Sequence, residues 1–591
     1  MSLTEEQRKV VEAIEGHYIV LSGPGCGKTH TITEKIMYLF ERETIPDPFG
    51  LLAVTFTDNA ARTMRARLSL KGFNQWNRVW IGTYHSLGRH ILGSYGGDIG
   101  IPEDFGIIEK HARDLILRKL RRDYSLDPSY NDLGLLFERL KRQGEYFEEG
   151  VDYHPSSIFG AYKQYNRILR EKNLLDFGDL VALAVNLLQK SDFVNRLYTN
   201  FFRYVMVDEF QDTDAQQLVM IRIFAEPAIG STIVGDDDQS IFGYREALRH
   251  NIFRIKGILG STEIILEQNF RSDEIIVKAA REVIGFDPDR REKEMTSISA
   301  ERGHIYKCHF CDFHDEAEYV TKWIGEAIEN TVDDPGDIGV ISRNHYLADE
   351  VKKEMKRIGI PWFDRHSLKF QDSWETSLAL GVLELAHDPT SSLFLYRVMV
   401  SVEEGGLAFY LGDKNALETA VKIRDRLLAH DGLNLSLNTV LGILDIAGMA
   451  EIIKKASAGV TDSRRRTRNL EKMMRDISSQ AQDHNLSLID VLNRFSGHGA
   501  VQILSCHMAK GTEFDVVFFI CLDDEVLPGS HSHNDEDKIA EERRIFYVGL
   551  TRARRAAYLT SAAYRPIRKT GCPPSRFIDH IPDEYFSEVR F

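Results

Sequence analysis

The chain is poor in cysteine, short of positive charge and without a long hydrophobic run, and each shortage excludes a class of protein. Six cysteines in 591 residues cannot staple a disulfide scaffold, and so sparse a use suits a reducing compartment. The longest mostly hydrophobic stretch, Phe514 to Leu522 with Asp515 inside it, is too short to span a bilayer. The N-terminal Met1-Ser-Leu-Thr-Glu-Glu-Gln7 lacks the basic-then-apolar pattern of a secretion signal. A soluble, cytoplasmic protein is the expectation. Gly 43 and Pro 16 are ordinary values that exclude collagen-like and low-complexity chains, and no solenoid-length repeat is present. Lys+Arg 74 against Asp+Glu 89 leaves a net charge of −15, so the surface as a whole does not attract polyanions. Nucleic acid would have to be held by a local stripe of basic and aromatic side chains. Arg62/Arg65/Arg67, Arg118 to Arg122, Arg464 to Arg468 and Arg565/Arg568/Lys569 are candidates, each equally readable as a solvated face.

What is present is material for several cores: 43% of the residues are hydrophobic, and the length suggests roughly four domains. Residues 18–22 (Tyr-Ile-Val-Leu-Ser) read as a short buried strand, and Thr31 to Phe40 has helical spacing. Between them stands Gly23-Pro24-Gly25-Cys26-Gly27-Lys28-Thr29. Strand, glycine-rich loop and helix is the context of a phosphate-binding loop, whose backbone N–H groups and helix N-terminus cradle an anion. Lys28 is expected to reach the β- and γ-phosphates of ATP, and the Thr29 hydroxyl to ligate Mg²⁺. Ser22 stands where the textual pattern has a first glycine. A metal-holding carboxylate is expected at the end of a neighbouring strand, and Tyr204-Val-Met-Val-Asp208-Glu209 supplies one. Asp208 would hold Mg²⁺, and Glu209 would orient and deprotonate the attacking water. A further strand, Ser231 to Val234, ends in Gly235-Asp-Asp-Asp238-Gln239, a polar cluster suited to the crevice of an open α/β sheet.

The spacing of these motifs predicts interrupted domains. Residues 107–174 carry helical apolar spacing, as in Leu115/Leu117/Leu120 and Leu135/Leu136/Leu140, and read as a helical insertion. Ile338 to Ile341 and Val501 to Leu504 read as strands of a second α/β unit, separated by a long helix-patterned stretch. The expected organisation is α/β: a first core over 1–106 and 175–265 and a second over 266–366 and 496–591. Mostly helical insertions occupy 107–174 and 367–495.

The ordered motifs resemble those of the UvrD/Rep/PcrA family of superfamily-1 DNA helicases. To the segments above the resemblance adds Leu3-Thr-Glu-Glu-Gln7, Thr55-Phe-Thr-Asp-Asn59, Gly82-Thr-Tyr-His85-Ser and Val234 to Arg245. Leu266-Glu-Gln-Asn-Phe-Arg271-Ser, His507 to Phe514 and Glu541 to Ala553 complete the series. It implies two RecA-like cores with ATP·Mg²⁺ between them. Gln7 would contact adenine and Phe270 would stack on it. Gln239 and Arg271 would sense the γ-phosphate, Glu513 would hold the ribose, and Arg552 would act as the arginine finger. Phe56, Asn59, His85 and Tyr244 would contact single-stranded DNA. Two departures stand out: His30 replaces a common arginine beside the phosphate loop, and the second insertion is short. The chain ends about 40 residues past Arg552, from which no fused nuclease is expected.

The expected activity is ATP-driven 3′-to-5′ movement on single-stranded DNA with separation of tailed duplex, serving repair or replication. The alternative is a DNA-sensing ATPase subunit serving a separately encoded nuclease, as in anti-phage defence. Cys308-His-Phe-Cys311-Asp-Phe-His314 invites a zinc reading, but the pattern lacks a second Cys/His pair and alternates like a strand. Asp236 to Asp238 have the look of a divalent-metal site but fit a structural and coupling role better. Cys26 reads as a small filler rather than a nucleophile, although a thiol at this place could make the ATPase sensitive to thiol reagents.

Overall fold

A computed structural model describes residues 3–108, 110–126, 133–144, 158–241, 250–288, 290–364, 499–565 and 571–588. The described chain forms two compact units that divide at Glu301/Arg302, with Asp535–Tyr547 packing into the first.

The first unit is built on six parallel strands: β1 (Gly16–Ser22), β2 (Gly50–Thr55), β3 (Val79–Thr83), β6 (Phe202–Val207), β7 (Gly230–Gly235) and β8 (Thr262–Leu266). Their order is β3-β2-β6-β7-β1-β8. Parallel strands are buried on both faces, so near-continuous apolar runs rather than alternation mark them. In β1, Ile19 and Leu21 pack toward the helices Tyr84–Tyr95 and Phe177–Lys190, whereas Val20 packs toward Lys28–Glu41 and Asp58–Leu70. Because the strands are parallel, the loops leaving Ser22, Thr55, Thr83, Val207, Gly235 and Leu266 all emerge along one edge.

The first insertion is closed at its neck by β4 (Gly106–Ile107) and β5 (Leu174–Leu175), which pair residue for residue. Helices Lys110–Asp123, Leu133–Gln143 and Ile158–Glu171 pack around Phe137, Tyr162 and Tyr165. Leu117, Leu120 and Leu140 join this core, but Leu115 and Leu135 are exposed; the leucine pattern identified the helices and overcounted the buried face. Buried Lys141 ties the insertion to the core through Asp176 and Asp179, at 2.7 and 2.9 Å.

Residues 266–301, expected in the second core, pack with the first. β9 (Gln268–Asn269) pairs with β10 (Thr296–Ser297). The backbone N–H of Phe270 donates to Gly25 O at 2.9 Å, and Asn269 Nδ2 donates to Pro24 O at 2.7 Å. The segment is fastened to the glycine loop itself.

The second unit is another six-stranded parallel sheet. It comprises β11 (His304–Phe310), β12 (Ile338–Ser342), β13 (Trp362–Asp364), β14 (Val501–Ser505), β15 (Phe514–Phe519) and β16 (Ala553–Ala562), in the order β11-β16-β15-β12-β14-β13. Val320, Trp323 and Ile324 of the helix Phe313–Asn330 cover Val340 and Phe518. Cys308 and His309 lie in β11, and His309 Nδ1 is 2.9 Å from Ser561 Oγ, as the strand reading of the zinc-like string predicts. The proposed second insertion, 367–495, lies outside the described residues.

Candidate nucleotide site and nucleic-acid contacts

β1 delivers the chain into Gly23–Gly27, and the helix Lys28–Glu41 leaves it. Gly25 and Gly27 have φ of +73° and +82°, a left-handed conformation that glycine adopts without steric cost. Each is also crowded: a Cβ on Gly25 would lie 2.6 Å from Arg271 Cβ, and one on Gly27 2.7 Å from Gln7 Nε2. Ser22 is not among the positive-φ residues, and its hydroxyl donates to Gly23 O at 3.1 Å, so serine is accommodated there.

The loop's carbonyls are tied back from outside. Gln7 Nε2 donates to Cys26 O at 3.1 Å, Asn269 to Pro24 O and Phe270 to Gly25 O. Gln7 is itself fixed by a capping box with Thr4, whose N–H donates to Gln7 Oε1 at 3.1 Å. Carbonyls held this way favour a loop whose concave side receives an anion. The cost of the motif falls on Cys26: its thiol is buried and donates to Pro24 O at 3.7 Å, and burial pushes its pKa up to about 12. A protonated, buried thiol does not attack reagents at neutral pH, in keeping with the reading of Cys26 as a small filler and against thiol sensitivity. His30 lies in the first turn of the helix with Nδ1 3.5 Å from Glu34, and burial lowers its pKa. It is a neutral ring near pH 7, unlike the arginine it replaces.

The acids arrive from β6 and β7. Thr29 Oγ1 donates to Asp208 Oδ2 at 2.9 Å, joining the two groups expected to share Mg²⁺. Burial, and then the neighbouring Glu209, push the Asp208 pKa from 3.8 up to about 6. Glu209 has φ +54°, which turns its side chain away from the strand line, and it accepts from Gln211 Nε2. Gln211 Oε1 in turn accepts from Asp236 N at 2.9 Å. Gln239 Nε2 donates to Asp236 Oδ2 at 2.5 Å, and Lys28 Nζ stands 3.8 Å from the same oxygen. The structure therefore gathers Gln7, the loop 23–29, His30, Asp208, Glu209, Gln239, Phe270 and Arg271 in the first unit.

Asn269 and Lys293 were missed. Asn269 Oδ1 accepts from both Arg271 N and Ser272 N at 2.8 Å, so one amide fixes Arg271 against the phosphate loop. Its only signal was its place inside the Leu266–Ser272 string. Lys293 sits in a charged stretch that reads as surface yet is buried against Asp236, Asp237 and Asp238. That lysine fills the position a divalent metal would have taken.

Arg552 and Glu513 belong to the second unit. Arg552 is 1% exposed and donates from Nε to Val548 O, from Nη1 to Thr512 O and from Nη2 to Thr551 Oγ1, at 2.9, 3.1 and 3.1 Å. Exposed Glu513 follows Thr512, with its carboxylate 3.5 Å from Arg554. Half-buried Phe56 directly follows β2, and His85 lies two residues past β3, its ring 6.0 Å from that of exposed Phe177. Asn59 stands in the first turn of the helix Asp58–Leu70. Tyr244 lies outside the described residues.

Residues 3–257 match the family of the UvrD/REP helicase N-terminal domain, and residues 264–406 and 444–564 match the UvrD-like helicase C-terminal domain. The ATP-dependent DNA helicase PcrA of Staphylococcus aureus (strain Mu50 / ATCC 700699) is 28% identical over 98% of this chain and 86% of its own length. PcrA of Staphylococcus epidermidis (strain ATCC 12228 / FDA PCI 1200) is 27% identical over 99% of this chain and 87% of its own length. With both domain families covering most of the chain in order, the protein belongs to the UvrD-like family of ATP-dependent DNA helicases.

Proposed function

We propose that this helicase hydrolyses ATP·Mg²⁺ to move 3′ to 5′ along single-stranded DNA in the cytoplasm, separating the strands of a 3′-tailed duplex. The observation that carries the nucleotide half is the Thr29–Asp208 hydrogen bond at the mouth of the glycine loop. A hydroxyl and a buried carboxylate whose ionisation is costly form a donor set that a divalent cation satisfies. Bound Mg²⁺ would neutralise phosphate charge there. Lys28 would leave Asp236 for the β/γ-phosphates, and Glu209 would accept the proton of the attacking water. Gln239 and Arg271 read the γ-phosphate, Arg552 supplies the finger, Gln7 and Phe270 hold the adenine, and Glu513 holds the ribose.

The DNA half rests on Phe56, Asn59 and His85, which follow strands of the same parallel sheet at the edge where the phosphate loop emerges. Tyr244 joins them by its place in the sequence, eight residues past Asp236, the first of the acids that follow β7. Stacked rings hold bases without regard to sequence. The reading as a subunit serving a separate nuclease is not favoured, because the family match runs through both helicase domains. The test is ATPase activity and strand displacement on 3′-tailed, 5′-tailed and blunt duplexes. Turnover should rise with single-stranded DNA, and displacement should require the 3′ tail. Displacement from the 5′ tail alone would overturn the polarity, and unstimulated turnover would overturn the DNA contacts.

A further inference from the structure

β7 is followed at once by three consecutive aspartates, Asp236, Asp237 and Asp238, all fully buried. Adjacent buried carboxylates repel one another and require compensating charge. Lys293, whose side chain is 0% exposed, meets all three: 3.0 Å from Asp236 Oδ1, 2.9 Å from Asp238 Oδ2, and in contact with Asp237 Oδ1. Burial works against the ammonium's charge, but the three carboxylates outweigh it and raise its pKa. Arg290 grips Asp238 through two bonds of 3.0 Å each. The second oxygen of Asp236 faces the phosphate loop, 2.5 Å from Gln239 Nε2 and 3.8 Å from Lys28 Nζ. Lys293 thus has the close contact with Asp236, and Lys28 the loose one.

We infer that Lys293 is a positioning residue for nucleotide binding. By taking the first claim on Asp236 it leaves Lys28 loosely paired and ready to pass to a phosphate. This inference rests on the proposed phosphate-contacting roles of Lys28 and Gln239. Three aspartates face three cations here: Lys293, Arg290 and Lys28. When Lys28 moves to the nucleotide, Lys293 must carry the remaining neutralisation. Without it, Asp236 draws Lys28 in, and the extra negative charge opposes the incoming polyphosphate.

The test uses the full chain, with steady-state ATPase, equilibrium binding of a fluorescent ADP and thermal melting. Lys293→Met should raise both KM for ATP and Kd for the ADP probe about tenfold or more, the order expected for one buried charge within a few ångströms. Asp237→Asn removes a negative charge from the same cluster and should move Kd the opposite way, to tighter binding. The Lys293→Met/Asp237→Asn double variant restores the balance and should return close to the parent. A purely structural lysine would lower the melting temperature in all three without opposite shifts in affinity, and that result overturns the inference. Should Lys293→Met fail to fold, Asp237→Asn decides: ADP affinity at or below the parent's overturns it. Lys28→Ala separates the two readings. Persistent hydrolysis in that variant would show the nucleotide site to be misassigned. Its loss, with Lys293→Met unchanged in KM and Kd, would remove only the role given to Lys293.

Discussion

Replacing Asp208 by asparagine should make the nucleotide-free protein more stable at neutral and alkaline pH while abolishing its activity. Asp208 is buried beside Glu209, and its pKa stands at about 6 against an ordinary 3.8. A carboxyl raised in this way binds more protons folded than unfolded. Its favourable contribution is therefore complete below pH 3.8 and lost as pH rises through 6. Ionising it in the folded protein costs about 3 kcal/mol, from roughly two pH units at 1.36 kcal/mol each. Asparagine avoids that cost but gives up one acceptor, since Asp208 Oδ2 accepts from Thr29 and Oδ1 from Glu209 N. One lost acceptor costs about 1 kcal/mol, leaving a net gain near 2 kcal/mol at pH 8. The assay is thermal melting of parent and Asp208→Asn without nucleotide from pH 5 to pH 8, paired with ATPase. The variant should melt higher at pH 8, and its advantage should vanish or reverse by pH 5. Mg²⁺·nucleotide should raise the parent's melting temperature much more than the variant's. A variant equally destabilised at both pH values would refute the reasoning, because the buried charge would then cost nothing.

Glu209→Gln should keep ATP·Mg²⁺ binding and lose hydrolysis by several orders of magnitude; parental turnover would remove Glu209 from the role of base. Arg552→Lys should cut turnover at least about a hundredfold, since a compact ammonium keeps the charge but not the planar fork whose three nitrogens are held at Val548, Thr512 and Thr551; near-normal ATPase would sink the finger assignment. Burial lowers the Lys35 pKa from 10.5 to about 7, so the unfolded chain binds the extra proton between those values and stability should rise with pH across that window. Lys35→Met should melt higher at pH 7, with the gain shrinking by about 2 kcal/mol by pH 9; an unchanged gap would show that Lys35 is not buried as a charge.

The nucleotide loop was legible in the sequence because its signals are local. A buried strand, glycines and a following helix lie within about 25 residues, and the acids of β6 and β7 each end a run of apolar residues. The helical insertion between β4 and β5 was legible for the same reason, through its 3.6-residue spacing, though spacing alone placed exposed Leu115 and Leu135 in the core.

What the sequence by itself determined was which segments carry phosphate chemistry and that the chain folds as two α/β units with a helical insertion. Periodicity and motif spacing are properties of the chain read in order, and they survive without knowledge of what packs against what. The tertiary structure alone decided how charge is balanced among the gathered groups. It brought Lys293 under Asp236, 57 residues away, and Asn269 onto Pro24, 245 residues away. It also sealed Cys26 from solvent and fastened 266–301 to the first unit. Neutralisation of a buried carboxylate depends on separations of about 3 Å, and residues so distant along the chain acquire such separations only when the sheet and its loops are assembled.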